Sequence, residues 1–251
     1  MKIRFLGTGV GIPQAGRVQS GLIMEMIGKP VLFDCGCGVL GRIAEAGYTH
    51  TDIENIVLTH LHLDHVGDVL ALLKANWLKG KTKMRIFGPQ GTQEWFGKVI
   101  DTYDYLQGRF EVEITELAGG ETFTPKGTDC NISCIPTVHS TPSLAYRVEC
   151  GKKIVVYTGD TEPSKPVFEF SREADVMIHE CSFPLGFETD NHTTPDMFTD
   201  VLKQTPLYVK ILYFIHLYPH MQGHEQEAMD HVSQYFSNEV RIASDLLEIV
   251  V

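Results

Sequence analysis

Hydrophobic and polar positions alternate from the first residues: Ile3 and Phe5 are apolar and Lys2 and Arg4 polar, the period of two expected of a half-buried strand. A glycine-rich turn follows, Gly7-Thr8-Gly9-Val10-Gly11, and then two more strand-like runs, Gly21 to Ile27 and Val31-Leu32-Phe33. A dinucleotide-binding loop would lead into a helix, so these glycines read as a tight turn or a close backbone approach. Val39, Leu40, Ile43 and Ala44 recur at helical spacing, with Gly47 as the stop. The apolar run 53–58 predicts a strand, Val66, Val69, Leu70 and Leu73 a helix, and Met84 to Phe87 another strand. Trp95, Phe96, Val99, Ile100 and Tyr103 form the apolar stripe of a helix and are expected to face the core.

From 109 to 158 the texture is β. Phe110 to Ile114 alternates, Asn131 to Val138 forms a strand ending at His139, and Leu144–Val148 pairs with Ile154–Tyr157 across the turn 150–153. Helical and strand-like segments then alternate. Val167 and Phe168 lie in a helix and Asp175 to Ile178 in a strand. A helix starts with Thr194 as N-cap and Pro195 at its first position, before the strand Ile211 to Ile215. A last helix spans Glu225 to Phe236, and short strands near Val240 and Leu247 close the chain. No linker or low-complexity segment separates the halves. Two sheets packed face to face, with helices outside, fit this order within one domain spanning 1–251.

Composition adds a few constraints. Hydrophobic residues make up 43% and charged residues 21%, ordinary for a chain with a packed core. No apolar run reaches the ~18 residues of a membrane span, and the N-terminus enters a strand without a secretory leader, so a cytoplasmic protein is expected. For that compartment the six cysteines are expected to be reduced. A net charge of −11 argues against avid, non-specific binding to nucleic acid. Residues 74–85 are the exception, with Lys74, Lys79, Lys81, Lys83 and Arg85 and no acid between them. They form either a solvated basic loop or a phosphate-contacting edge on which Trp77 stacks a base.

The chemistry concentrates in residues 59–68, T-H-L-H-L-D-H-V-G-D. His60 and His62 share a face of extended chain, and a turn into helix near Asp64 would swing that carboxylate and His65 towards a second point. Imidazole suits Zn, Fe and Ni, and carboxylate extends the choice towards Mn and Mg. Three more candidates end β runs: His139 after 135–138, Asp160 after 155–159, and His216 after 212–215. His220 and His224 could replace His216, but neither ends an apolar strand. His50 and His231 read as surface residues and His179 as a buried, satisfied one.

The set H-x-H-x-D-H, a lone His, G-D-T, then an apolar run ending in His resembles the metallo-β-lactamase fold hydrolases over essentially the whole chain. The resemblance implies an α+β, four-layer αββα sandwich holding two divalent metals, zinc first, with Mn or Fe as alternatives. It implies that His60, His62 and His139 bind one ion, that Asp64, His65 and His216 bind the other, and that Asp160 bridges them. Asp34 matches the aspartate that orients a ligand histidine. Within the superfamily, F-L-G-T-G-V-G-I-P with Arg17, H-E-C-S at 179–182 and N-H-T-T at 191–194 look like the motifs of the ribonuclease Z branch. By that likeness His192 is a proton donor or phosphate contact, and Asp64 doubles as an acid/base.

Two departures stand out. Only 20 residues separate His139 from Asp160, too few for the basic arm with which ribonuclease Z grips tRNA. Val156 also occupies a place where that branch tends to carry a glutamate supporting the catalytic histidine. The expected activity is therefore hydrolysis of small or cyclic phosphodiesters, or of RNA ends, by a hydroxide between two metals, in a protein expected to form a homodimer. The alternatives are an acyl hydrolase of the lactonase or thioesterase type and, behind it, a non-catalytic metal-binding module.

Overall fold

Alternation in the strands decides the architecture. The computed structural model describes residues 1–251. The first half runs β1 (Lys2–Gly7), β2 (Gly21–Met26), β3 (Lys29–Phe33), α1 (Val39–Glu45), β4 (Asn55–Val57), α2 (Leu63–Val66), α3 (Val69–Leu78), β5 (Lys83–Pro89), α4 (Thr92–Asp101) and β6 (Glu111–Leu117). The second half runs β7 (Thr122–Phe123), β8 (Asn131–Pro136), β9 (Leu144–Cys150), β10 (Lys153–Tyr157), α5 (Lys165–Phe170), β11 (Val176–Glu180), α6 (Pro195–Gln204), β12 (Ile211–Ile215), α7 (Glu225–Ser233), β13 (Glu239–Ile242) and β14 (Glu248–Val250). They form two seven-stranded sheets, ordered β14-β1-β2-β3-β4-β5-β6 and β13-β12-β11-β10-β9-β8-β7.

Each central strand is apolar on both faces because both faces are covered. Leu22, Met24, Val31 and Phe33 of the first sheet meet Val155, Tyr157, Val176, Ile178 and Tyr213 of the second in one core. The intervening residues point outward. Ile23, Leu32 and Ile56 pack under α1 and α3, while Val156, Met177, Leu212 and Phe214 pack under α5, α6 and α7. Each fully buried Leu, Ile or Phe in these layers contributes about 1.5–3 kcal/mol. The result is the expected α+β, four-layer αββα sandwich. At the start of α6, Thr194 accepts from the Met197 amide with Pro195 in the first turn, as the sequence predicts.

Topology also places the chemistry. Strands β3 to β6 are mutually parallel, as are β10 to β13. Their carboxyl ends open at one edge of the sandwich, where ligands of parallel sheets characteristically bind.

Three expectations change. The apolar stripe of α4 is not core: Trp95, Phe96, Val99 and Ile100 are half-buried and Tyr103 is exposed, because α4 flanks β5 and β6 at the sheet's edge. The cysteines are not all reduced, since Cys130 and Cys150 form a disulfide, leaving Cys35, Cys37, Cys134 and Cys181 free. The β8–β9 register sets Asn131 opposite Glu149, which brings the flanking cysteines face to face. The stretch 74–85 is a loop only at 79–82, which joins the end of α3 to the start of β5. Trp77 already carries Lys74 at 3.9 Å and Arg109 at 5.4 Å over its ring, and Lys83 and Arg85 pair with Glu111 and Glu113. Lys83 opens β5, at the opposite end of the sheet from His60, so this patch lies away from the candidate ligands.

Candidate metal centre and active site

All seven predicted ligands converge at the open edge. His60, His62 and His139 group with Asp160, and Asp64, His65 and His216 form a second group, the donor atoms within each lying within 4.8 Å of one another. Asp160 reaches both groups. Its Oδ2 is 3.7 Å from His60 Nε2 and 3.3 Å from His216 Nε2, and its Oδ1 is 3.3 Å from His65 Nε2. His139 Nε2 lies 3.2 Å from His62 Nδ1, and His216 Nε2 lies 3.5 Å from Asp64 Oδ2.

The backbone bends sharply to deliver these groups. Asp34 has φ 54° and His216 φ 59°, left-handed values that cost L residues energy and that cluster at functional sites. Gly159, with φ +59°, turns the chain just before Asp160, and a Cβ there would meet Thr59 Cβ at 2.6 Å. Only glycine fits both demands.

Four of the five candidate ligand imidazoles, all but His62, are held at the other nitrogen. His65 Nδ1 donates to Asp34 Oδ2 at 2.9 Å, and His139 Nδ1 donates to the Asn191 carbonyl at 2.8 Å. Thr59 Oγ1 donates to Asp34 and so accepts from His60 Nδ1 at 3.0 Å. Ser182 Oγ donates to Glu180 and so accepts from His216 Nδ1 at 3.0 Å. Protons fixed on Nδ1 in this way leave the Nε2 lone pairs facing inward. Asp34, fully buried, also accepts from Tyr157 Oη at 2.6 Å and from the Thr59 amide at 2.8 Å.

Two observations test whether cations fit. His60 Nε2 and Asp160 Oδ1 are buried without a hydrogen-bond partner, a state costing about 1–3 kcal/mol per group unless something else satisfies it. The electrostatics agree. Burial disfavours charge on His60, and neighbouring His65 lowers its pKa further, leaving a neutral donor. Burial works against charge on His65 too, but the Asp160 and Asp34 carboxylates overcome it, so positive charge is favoured at this point, carried by a proton on Nε2 or by a cation in its place. Burial tends to raise Asp64, yet its hydrogen bond to His216 and the charge of His65 hold it down at about 2. Nitrogen and carboxylate donors in two adjoining groups fit two divalent ions.

His192 stands beside the ligands, its ring 5.5 Å from His216 and 5.3 Å from His139. Sequence reasoning left its support unassigned, and the structure supplies it. Glu180, fully buried at the end of β11, accepts from His192 Nδ1 at 2.9 Å. The same carboxylate accepts from the Thr161 amide at 2.8 Å, Ser182 Oγ at 2.6 Å and the Thr193 amide at 3.1 Å. Burial alone would lower the His192 pKa, but the hydrogen bond and charge of Glu180 lift it to about 9. Val156 packs towards the outer helices, and the carboxylate that supports His192 is that of Glu180. The only hint of Glu180 in the sequence was its position in the H-E-C-S motif. A grouping of Asp160, Glu180, His192 and His216 is also close enough to hold an ion. Glu180 has its oxygens engaged by four donors, which fits a positioning role better. His220 and His224 are exposed, while His179 is buried on β11 against Phe198.

A centre of this kind, seated at the edge of two facing sheets, makes the protein a metal-dependent hydrolase of the metallo-β-lactamase fold with ribonuclease Z-like motifs. Solved structures of that fold superpose over nearly its whole length. The metallo-β-lactamase fold protein YhfI from Bacillus subtilis is 24% identical, with a TM-score of 0.83 over 99% of this chain and 98% of that one. The short form of human tRNase Z is 22% identical, with a TM-score of 0.80 over 100% of this chain and 99% of that one. Ribonuclease Z from Methanosarcina mazei is 28% identical over 305 aligned positions, covering 100% of this chain and 98% of the relative. The alignment is longer than this chain, so the relative carries residues this protein lacks. Residues 1–237 match the family described as anti-Pycsar protein Apyc1, and the chain belongs to that family. No helix is long and apolar enough to cross a membrane.

Proposed function

We propose that the protein hydrolyses small or cyclic phosphodiesters at a dinuclear centre. His60, His62 and His139 would hold one ion and Asp64, His65 and His216 the other, with the Asp160 carboxylate in reach of both groups. Zinc is the ion the histidine-rich donor set suits best, with Mn or Fe as alternatives. When bound, two such cations supply Lewis acidity that activates water near neutral pH and neutralises charge on the phosphoryl oxygens. The observation that carries the reading is the Glu180–His192 pair set 2.9 Å apart beside that centre.

The chain's own residues then divide the proton work. Asp64 keeps its negative charge at working pH and orients the attacking water, accepting its proton. As the P–O bond to the leaving group breaks, His192 Nε2 gives its proton to the departing alkoxide, yielding an alcohol and a phosphomonoester. Glu180 keeps the imidazole charged and aimed, and the fixed imidazolium stabilises charge building on the equatorial oxygens. The short span between His139 and Asp160 forms β9 and β10 and provides no arm for tRNA, which favours small substrates.

Metal-loaded protein should turn over bis(p-nitrophenyl) phosphate and cyclic nucleotides in preference to a panel of lactones and thioesters. Absence of turnover of every phosphodiester with Zn, Mn and Fe would sink the proposal. Preference for the acyl panel would move the protein to the acyl-hydrolase class.

A further inference from the structure

The candidate ligands come from both sheets. His60, His62 and His65 follow β4 of the first sheet, while His139, Asp160 and His216 follow β8, β10 and β12 of the second. Each donor group therefore closes only if the two sheets meet in one fixed register at their open edge. Apolar packing between the sheets is non-directional and resists sliding weakly. A metal centre needs its donors held within about 0.5 Å.

Two buried tyrosines supply a direction. Tyr146 on β9 and Tyr157 on β10 stand opposite each other in the antiparallel register, and both lie in the core between the sheets. Tyr157 Oη donates to Asp34 Oδ2 at 2.6 Å, one residue past β3, and Tyr146 Oη donates to the Leu58 carbonyl at 2.7 Å, one residue past β4. Both acceptors belong to the first sheet and both lead to ligands. Asp34 accepts from His65 Nδ1, and Leu58 stands two residues before His60. Next to that contact the Leu144 amide at the start of β9 donates to the Thr59 carbonyl at 3.0 Å. Phe33 meets both tyrosine rings edge-on, with centroids 6.1 and 6.2 Å away. A phenylalanine would fill either space as well as a tyrosine, so the hydroxyls carry the information. Each is buried and aimed at a ligand-bearing chain end of the opposite sheet.

We infer that Tyr146 and Tyr157 are positioning residues, a clamp that locks the open edge of one sheet onto the other and sets the spacing of the two donor groups. The inference rests on the two-ion reading of the centre above and is independent of the substrate. The two hydroxyls act through Asp34 and through the chain at Leu58.

The test uses metal-free protein and three variants that each lose one hydroxyl and keep the ring. Tyr157→Phe and Tyr146→Phe open the clamp. Tyr213→Phe is the control, because its buried ring carries a hydroxyl that accepts from Arg241 Nη1 at 3.1 Å, a contact within its own sheet. Zinc affinity is read by chelator competition, the geometry of the centre by the visible absorption of the cobalt-substituted protein, and the stability of the fold by the metal-free Tm. Tyr157→Phe and Tyr146→Phe should each weaken zinc affinity about tenfold and alter the cobalt spectrum, and the double variant should lose more than either. Tyr213→Phe should change only the Tm. Unchanged affinity and spectrum in the first two variants, whatever their Tm, would overturn the clamp while leaving the two-ion centre standing. An equal loss of affinity in Tyr213→Phe would do the same, because any missing core hydroxyl would then suffice. Failure of the wild-type protein to take up two ions would overturn both readings.

Discussion

Replacing Glu180 by Gln removes a charge while keeping the shape of the side chain, and it should convert His192 from an acid charged at working pH into a neutral imidazole. The pair stands 2.9 Å apart with Glu180 fully buried, and Glu180 is what lifts His192 to about 9. Without that charge, burial lowers the imidazole against the smaller upward pull of Asp160 and Asp64, and its pKa falls towards the ordinary value of about 6.5. At pH 8 the protonated fraction then falls from about nine-tenths to about 3%, so a step needing imidazolium slows about 30-fold. Bound cations depress the His192 pKa in both proteins, which makes the difference between them the quantity to read. The assay is the pH dependence of kcat for one phosphodiester from pH 5.5 to 9.5. The alkaline limb of the variant should move to lower pH by at least one unit, with the two rates converging below pH 6. The amide also leaves some of the four donors around Glu180 unmatched, at about 1–3 kcal/mol each, so a lower Tm is expected and is measured separately. A loss of the same factor at every pH would refute the reasoning, because it would make Glu180 a structural residue and leave His192 without a proton to give.

Other consequences follow from the same coordinates. In the metal-free protein His192 is raised on folding, so its stabilisation is complete below pH 6.5 and lost as pH climbs through about 9. The gap in denaturant stability between wild type and Glu180→Gln should shrink over that window, and a gap independent of pH would contradict the pairing. Asp34→Asn keeps a residue type that tolerates φ 54° but replaces an oxygen bonded to His65, Thr59 and Tyr157. Metal affinity measured by chelator competition should fall about 10–100-fold, and an unaltered affinity would show that His65 needs no such anchor. Gly159→Ala drives a Cβ into Thr59 and should lower stability by about 1–3 kcal/mol beyond Gly16→Ala, where φ is +84° but the space is open. Equal costs at the two sites would exclude the Thr59 contact as the cause. Under denaturing, non-reducing conditions an alkylating reagent should label four cysteines and spare Cys130 and Cys150, as mass spectrometry would show. Six labelled thiols would contradict the disulfide.

The grouping of the candidate ligands was legible because its signal is local. His60, His62, Asp64 and His65 occur together, and His139, Asp160 and His216 each end an apolar run, so strand ends alone suggest convergence. The layered fold was legible from the same runs. Glu180 was harder to find, because its partner His192 is twelve positions away and their meeting depends on how the segment after β11 folds back. Tyr157 and Thr59 looked like ordinary strand and turn residues until Asp34 was seen to gather both. The disulfide was missed because a compartment argument was applied where strand register decides. The register that puts Asn131 opposite Glu149 also aligns the two cysteines, and composition carries no trace of it. For α4 the helical stripe was real, but periodicity gives a direction and not a depth. At the sheet's edge the apolar face stays half-open.

The central claim is that the two donor groups sharing Asp160 form one hydrolytic centre for phosphodiesters. Metal-free protein titrated with zinc, while bound metal and hydrolysis of a cyclic nucleotide are followed together, tests it most directly. Activity should rise with bound metal and level off at two ions per chain, and Asp160→Asn should lose both tight binding and turnover. Full occupancy without hydrolysis, or hydrolysis that peaks in the metal-free protein, would contradict the account.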